Sequence, residues 1–506
     1  MTGPTTCHSQ PPDLLRLRSA ALEQLLRFLT PDDRAAADRS GTELQALLAG
    51  AEAGREGVVL VGYGGGKDSS YTLAFVRAMQ LIQQQRHSRS FVLRAATNWH
   101  AGMPTAVMEN IGRAYRALGM DRDPDCELLL IEGGAVHPFR SDAPRSRRVT
   151  AQNRTDILMT GHRTQADGRP TFCNACNLSV AHSFGVAAAH GTGADIIITG
   201  DSAEEQRQYT AWISRLARQV PRGRSHLPTD GFPQVLEALD DVARAYFRDI
   251  HGPHTERERA EAGHSVHSDV PRRLRFLSIY AETTYDAGSH WDLLTKHLGF
   301  VFDELAFNFT ESDCANPALM AHLRGLKCQY LFGRDYREGL REYADFALRL
   351  MVRKHFPRHL IHQMAGRYAA DDAHVRLRAR VNSFAHEVYG LDERQLICMV
   401  HSPFTAEGAG LTRYLTSQAP QLARHERGIR RLLAHAGSGN DTAARALAAE
   451  LKHLSGLDLP QLRTLYASDL RPALMQSILG GDPHKERIRT RHAPDGPDVT
   501  ETLSGR

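Results

Sequence analysis

The order of apolar and polar positions changes character along the chain. Residues 13–50 run DLLRLRSAALEQLLRFL, break at Thr30-Pro31-Asp32, and end in LQALLAG, which predicts two short amphipathic helices. From residue 58, short apolar blocks alternate with helical patterns. VVLVGY (58–63), FVLRAATN (91–98), CELLLIEG (126–133) and ADIIITGD (194–201) read as buried strands. SSYTLAFVRAMQLIQQQ, TAVMENIGRAYRALG (ended by Gly119) and residues 178–191 read as helices. This alternation predicts an α/β fold, a parallel sheet with helices on both faces.

The alternation breaks over 221–272. That stretch holds one helical pattern, PQVLEALDDVARAYFRDI, and a polar His-rich run, HGPHTERERAEAGHSVHSDVPRR, expected to be flexible. The α/β pattern resumes near LRFLSIYAETTYD, and from about 335 the chain reads as all helical. The final stretch has almost no apolar residues and is expected to be disordered. The expected organisation is a helical cap (1–56), an α/β domain (57–335) with an insertion at 221–272, a helical C-terminal domain (336–480) and a disordered tail (481–506).

Composition adds exclusions. A hydrophobic share of 42% and a charged share of 24% are those of a globular chain. The net charge of +4 gives no argument for nucleic acid. No apolar run reaches the ~18 residues of a membrane span, and the N-terminus lacks a basic region followed by an apolar one. Seven sparse cysteines fit a reducing, cytoplasmic setting, in which clustered cysteines are metal-binding or catalytic.

The corner after the first strand carries chemistry. It reads Gly64-Gly65-Gly66-Lys67-Asp68-Ser69-Ser70. A glycine loop opening a helix aims backbone N–H groups at an anion, and the helix N-terminus adds positive potential. The bland alternative is a glycine turn with a solvated lysine. A Walker A loop is excluded, because Lys67 is followed by Asp68 instead of Ser or Thr. The Lys-Asp-Ser order resembles the pyrophosphate loop, Ser-Gly-Gly-Lys-Asp-Ser, of the PP-loop ATP pyrophosphatase superfamily, with Gly64 in place of the first serine. The resemblance implies a Rossmann-like (HUP-type) sheet, ATP and Mg²⁺ as cofactors, cleavage between the α and β phosphates, and adenylation of an acceptor oxygen. It implies phosphate contacts from Gly64 to Ser70, with Lys67 and Asp68 catalytic, and adenosine contacts from Thr97 and Asn98. Gly200 and Asp201 to Glu205 stand where many members carry Gly-His-x-x-Asp-Asp. Asp201 replaces the histidine and takes a catalytic place, and Glu204 and Glu205 take the acidic ones. The bland alternative there is a capped, solvated loop.

Cys173-Asn174-Ala175-Cys176 is the close cysteine pair, and Cys314 follows in FNFTESDCANP. A C-x-x-C spacing lets one metal take two thiolates; half a zinc site, a redox pair or chance also stand open. The order of a central C-x-x-C and one later cysteine resembles the PP-loop tRNA thiolases of the 2-thiocytidine and 2-thiouridine type. That resemblance implies a [4Fe–4S] cluster on Cys173, Cys176 and Cys314, with Zn²⁺ as the alternative. Cys126, Cys328 and Cys398 read as inert buried thiols.

Two basic stretches, 351–367 around Phe356 and 424–437, either track a phosphate backbone or form solvated amphipathic faces. The expectation is an adenylating sulfurtransferase. The alternatives are an amide-forming ligase or amidotransferase fed with ammonia by a partner, and a non-enzymatic ATP or redox sensor. The acceptor stands open among tRNA, a small molecule and a carrier-bound metabolite. A sulfur or ammonia donor protein is an expected partner, and a membrane is not.

Overall fold

The computed structural model describes residues 11–49, 56–88, 90–200, 203–220, 232–271, 274–279, 283, 290–306, 314–370, 372–435, 442–480 and 485–504. Its centre is a six-stranded sheet of β1 (Val58–Gly62), β2 (Val92–Asn98), β3 (Cys126–Glu132), β4 (Ala135–Pro138), β5 (Ile196–Ile198) and β6 (Arg275–Leu277), in the order β4-β3-β2-β1-β5-β6. All neighbours pair parallel except β4, which returns antiparallel on β3. That return needs left-handed backbone at Gly133 and Gly134, whose φ values are +54° and +86°. Alternate β1 residues face opposite ways: Val59 and Val61 join one apolar core, Val58 and Leu60 another. A strand buried on both faces reads as a continuous apolar run, which is why VVLVG was legible.

Helix α1 (Pro12–Leu26) and α2 (Pro31–Leu48) pack on α3 (Lys67–His87). This cover explains why α3 is buried nearly all round, including Arg77, Gln80 and Gln83. Arg18 of α1 donates to Asp123 at 2.8 Å, and Arg77 of α3 donates to the same carboxylate at 2.9 Å. The connections of the sheet continue with α4 (Thr105–Ala117), α5 (Arg147–Thr164), α6 (Gly168–Ala189), α7 (Ala203–Ala217), α8 (Phe232–His251) and α9 (Glu256–Glu261). After β6 come α10 (Asn316–Leu326), α11 (Tyr336–Arg353), α12 (Arg358–Ala369), α13 (Ala373–Tyr389) and α14 (Glu393–His401), then further helical segments to Gly480. One apolar core joins α5, α6, α8 and α10 to the later helices through Leu158, Phe172, Tyr246, Leu319, Tyr343, Phe384 and Leu462.

Three features depart from the sequence pattern. The final stretch, expected to be disordered, holds a hairpin of β7 (Lys485–Arg491) and β8 (Asp498–Ser504). Its order comes from strand pairing and from polar anchors: Arg324 meets Glu501 and donates to Thr490 at 3.1 Å, and Thr490 donates to Glu342 at 2.7 Å. The His-rich run expected to be flexible is packed, with His264 and Val266 each 3% exposed. Helix α5 gave no apolar period because its buried face includes Asp156, Thr160, His162, Arg163 and Thr164. No helix of the described residues is long and apolar enough to cross a membrane.

Candidate active site

The glycine corner lies where the sheet reverses direction. From β1 the chain builds outward to β2 and β3 on one side, then returns to β5 and β6 on the other. The crevice at the carboxyl ends of the two inner strands is where open parallel sheets bind ligands. Tyr63 N donates to the Ala96 carbonyl at 2.9 Å, and Thr97 Oγ1 donates to the Tyr63 carbonyl at 2.8 Å. These bonds hold the loop against the end of β2.

Gly65 has φ +76°, and a Cβ there would stand 2.8 Å from Ile111 and 3.0 Å from Val107. Conformation and space both demand glycine. Helix α3 starts at Lys67 with no side chain capping its N-terminus. On the other flank, a Cβ on Gly200 would lie 3.3 Å from the Ser69 nitrogen. The end of the β5 strand therefore approaches the first turn of α3 backbone to backbone. Ser69 Oγ donates to the Gly66 carbonyl at 3.1 Å, and Ser70 Oγ shares a 3.2 Å hydrogen bond with the Tyr63 hydroxyl. The serines brace the loop from within. Lys67 is 5% exposed, paired with Asp68, and its Nζ lies 5.4 Å from the centre of the Phe356 ring.

Asn98 ends β2. Its Oδ1 accepts from Ser183 at 2.7 Å and from Ser179 at 3.4 Å, both on α6. Its Nδ2, and Nε1 of the adjacent Trp99, are buried donors without an acceptor among the described residues. Such orphans are uncommon in protein interiors and are met where a ligand completes them.

The cysteines lie toward the same end of the sheet, but the sulfurs of Cys173, Cys176 and Cys314 do not all fall within 4.8 Å of one another. Cys173 and Cys176 are three apart on α6, hence on one helix face. Cys314 immediately precedes α10, and Ala315 N donates at 2.9 Å to the carbonyl of Gly102, in the loop after β2. Tyr389, the last residue of α13, links all three. Its hydroxyl donates to Asn316 Oδ1 at 3.2 Å. Its pKa is pushed well above the ordinary value, first by burial and then by charge on Cys176, Cys314 and Cys173. The three thiols thus stand within electrostatic range of one phenol.

Arg145 is a further member. It donates to the Met103 carbonyl at 2.7 Å, lies over the Trp99 ring at 4.9 Å, and keeps a buried Nε without a partner among the described residues. Burial lowers its pKa, against the opposing pull of Tyr389, Glu387 and Glu132. Neither Tyr389 nor Arg145 carries a sequence signal, since each belongs to the site through tertiary contact alone.

Asp201 lies outside the described residues, as do the side chains of Glu204 and Glu205 on α7. Cys126, Cys328 and Cys398 behave as structural thiols. Burial holds Cys126 and Cys398 protonated, with pKa pushed up to about 12, and Cys328 to about 11. Phe356 is 5% exposed among Met351, Leu360 and Met364, so it offers no stacking face to a base. In the second basic stretch Arg430 pairs with Glu426 at 2.9 Å and donates to the Glu407 carbonyl at 3.0 Å.

No protein-family model, no curated protein and no solved structure matched this chain.

Proposed function

We propose that the chain is a PP-loop ATP pyrophosphatase of the HUP type that adenylates an acceptor oxygen and then transfers sulfur to the activated carbon. The observation that carries the reading is the glycine loop at the sheet reversal, with Gly65 fixed by its left-handed φ and Gly200 packed against the first turn of α3. Backbone N–H groups of residues 64–69 hold the β and γ phosphates, that of Ser70 being bonded to the Gly66 carbonyl, and Lys67 neutralises the charge that builds on the leaving pyrophosphate. The orphan amide of Asn98 and the Trp99 indole N–H supply donors for the adenosine. Asp201 and Glu205 are the residues that would hold Mg²⁺, which would neutralise phosphate charge.

The acceptor oxygen attacks the α-phosphorus, the bond to the β-phosphate oxygen breaks, and pyrophosphate leaves. AMP is then displaced from the adenylated carbon by the sulfur nucleophile. By donor chemistry, Cys173, Cys176 and Cys314 would be the residues that hold a [4Fe–4S] cluster. Bound there, the cluster would supply sulfide at the iron that no cysteine holds. Tyr389 keeps its proton, which it donates to Asn316 Oδ1 and so holds the start of α10 in place, and Arg145 attracts an anionic group of the acceptor.

Purification without oxygen, with iron and acid-labile sulfide measured per chain, tests the sulfur step. ATP-dependent pyrophosphate release over a panel of acceptors tests the adenylation. Lys67→Ala should lower release at least ~100-fold, since one such charged contact is commonly worth ~3 kcal/mol or more in the transition state. Unchanged release in that variant would mean the loop does not hold the phosphates. Zinc without sulfide would leave adenylation standing and turn the second step toward amide formation.

A further inference from the structure

The His-rich segment meets α5 in the interior. Asp156 of α5 is 5% exposed. Its Oδ1 lies 2.7 Å from Nε2 of His251, at the end of α8, and 2.9 Å from Nε2 of His264, just beyond α9. The three ligand atoms all fall within 4.8 Å of one another. The side-chain amide nitrogen of Gln152, one turn earlier on α5, is 3.0 Å from Asp156 Oδ1 and also 3.0 Å from His264 Nε2.

These contacts cannot all be hydrogen bonds. With a proton on Nε2, His264 donates to Asp156, and the Gln152 NH₂ then faces a second donor. With Nε2 bare, Gln152 donates to it, and its lone pair then faces the carboxylate oxygen. Turning the amide sets its carbonyl oxygen against the carboxylate instead. Every assignment leaves a repulsive contact in a buried place, where one unmet polar group costs roughly 1–3 kcal/mol.

A cation removes the conflict. Two imidazole nitrogens, a carboxylate oxygen and the turned amide oxygen bring four donor atoms together from three segments. We propose that Asp156, His251 and His264, with Gln152 as fourth ligand, bind one divalent zinc-class ion that pins residues 232–270 to α5. Mixed nitrogen and oxygen donors suit zinc better than magnesium or calcium, which take oxygen throughout. Zinc bonds of ~2.0–2.1 Å need the ligands to spread by only a few tenths of an ångström.

The frame for such a site is built. The His264 ring stacks on Phe247 at 3.8 Å with an interplanar angle of 8°. Its loop is clamped by Arg259, which pairs with Asp240 at 2.8 Å and donates to the His264 carbonyl at 3.1 Å. Val266 N donates to the same Asp240 at 2.8 Å. The role is structural, because α5 and α8 both pack on α6, the helix that carries Cys173 and Cys176. The site is independent of the ATP chemistry.

The test uses the full chain with Cys173, Cys176 and Cys314 changed to alanine, so that thiols contribute no metal. Elemental analysis should find one equivalent of zinc, and Co²⁺ should give tetrahedral d–d bands without thiolate charge transfer. Adding His264→Ala should remove the metal. Should that variant fail to fold, the zinc dependence of Tm in the chain with the three cysteines replaced decides, with a rise expected on adding zinc after chelation. No bound zinc and no Tm response, or uptake of magnesium or calcium instead, would overturn the proposal.

Discussion

At the scale of single residues, the glycine corner makes the sharpest demands. Gly65→Ala adds a Cβ at φ +76° and drives it to 2.8 Å from Ile111. Strain of this kind costs of order 1–3 kcal/mol, so Tm should fall by a few degrees and ATP affinity should fall with it. A thermal melt and an ATP titration check both. Gly200→Val should act differently. Its branched side chain meets the Ser69 backbone nitrogen across the crevice, so nucleotide binding should suffer more than Tm. Equal loss in both quantities would mean that Gly200 serves packing alone. The Lys-Asp-Ser order could be read from the chain, because such a loop is local and its residues are contiguous. Tyr389 and Arg145 could not, since a buried phenol and a half-buried arginine have no local pattern that marks them.

At the scale of elements, burial on both faces made β1, β2, β3 and β5 legible as apolar runs. Polar burial hid others. Helix α5 buries Asp156, His162 and Arg163 and so shows no amphipathic period. The β7–β8 hairpin has little apolar mass, with Ile488 and Leu503 as its buried apolar residues among those described. Its hold on the body runs through Arg324, 7% exposed, between Glu342 and Glu501. Glu501→Ala removes one of two carboxylates from a buried guanidinium, and a loss of ~1–3 kcal/mol is expected. Urea denaturation of this variant and of a chain ending at residue 480 should show both destabilised. An unchanged midpoint in both would make the hairpin an appendage.

At the scale of the molecule, two fully buried histidines set an acid limit. His162 is pushed down to about 3 by burial, and His322 to about 4 by burial, against the opposing pull of Glu393. The unfolded chain takes up protons near the ordinary histidine value of ~6.5. Below that pH it binds protons that the fold refuses, so stability falls as pH drops from about 6.5 toward 4. The slope is up to about 1.4 kcal/mol per pH unit for each group. His162→Leu should flatten this slope in denaturation series at pH 7, 6 and 5. A second coupling spans the fold: Phe356, between α11 and α12, lies over the Lys67 ammonium of the loop. Phe356→Ala should weaken ATP binding several-fold with little change in the pH profile, as a contact worth ~1 kcal/mol would.

The sequence alone determined the α/β alternation, the glycine corner with its Lys67-Asp68-Ser69 order, and the helical character of the chain from 336 to 480. Each is written in neighbouring residues, as a period or a motif, and local sterics and burial suffice to express it. Only the tertiary structure decided that Cys173, Cys176 and Cys314 share Tyr389 as neighbour, and that Asp156 meets His251 and His264 across 95 and 108 residues. Those meetings depend on how helices stack around one core, and stacking is fixed by the sum of many small contacts that no short stretch of sequence contains.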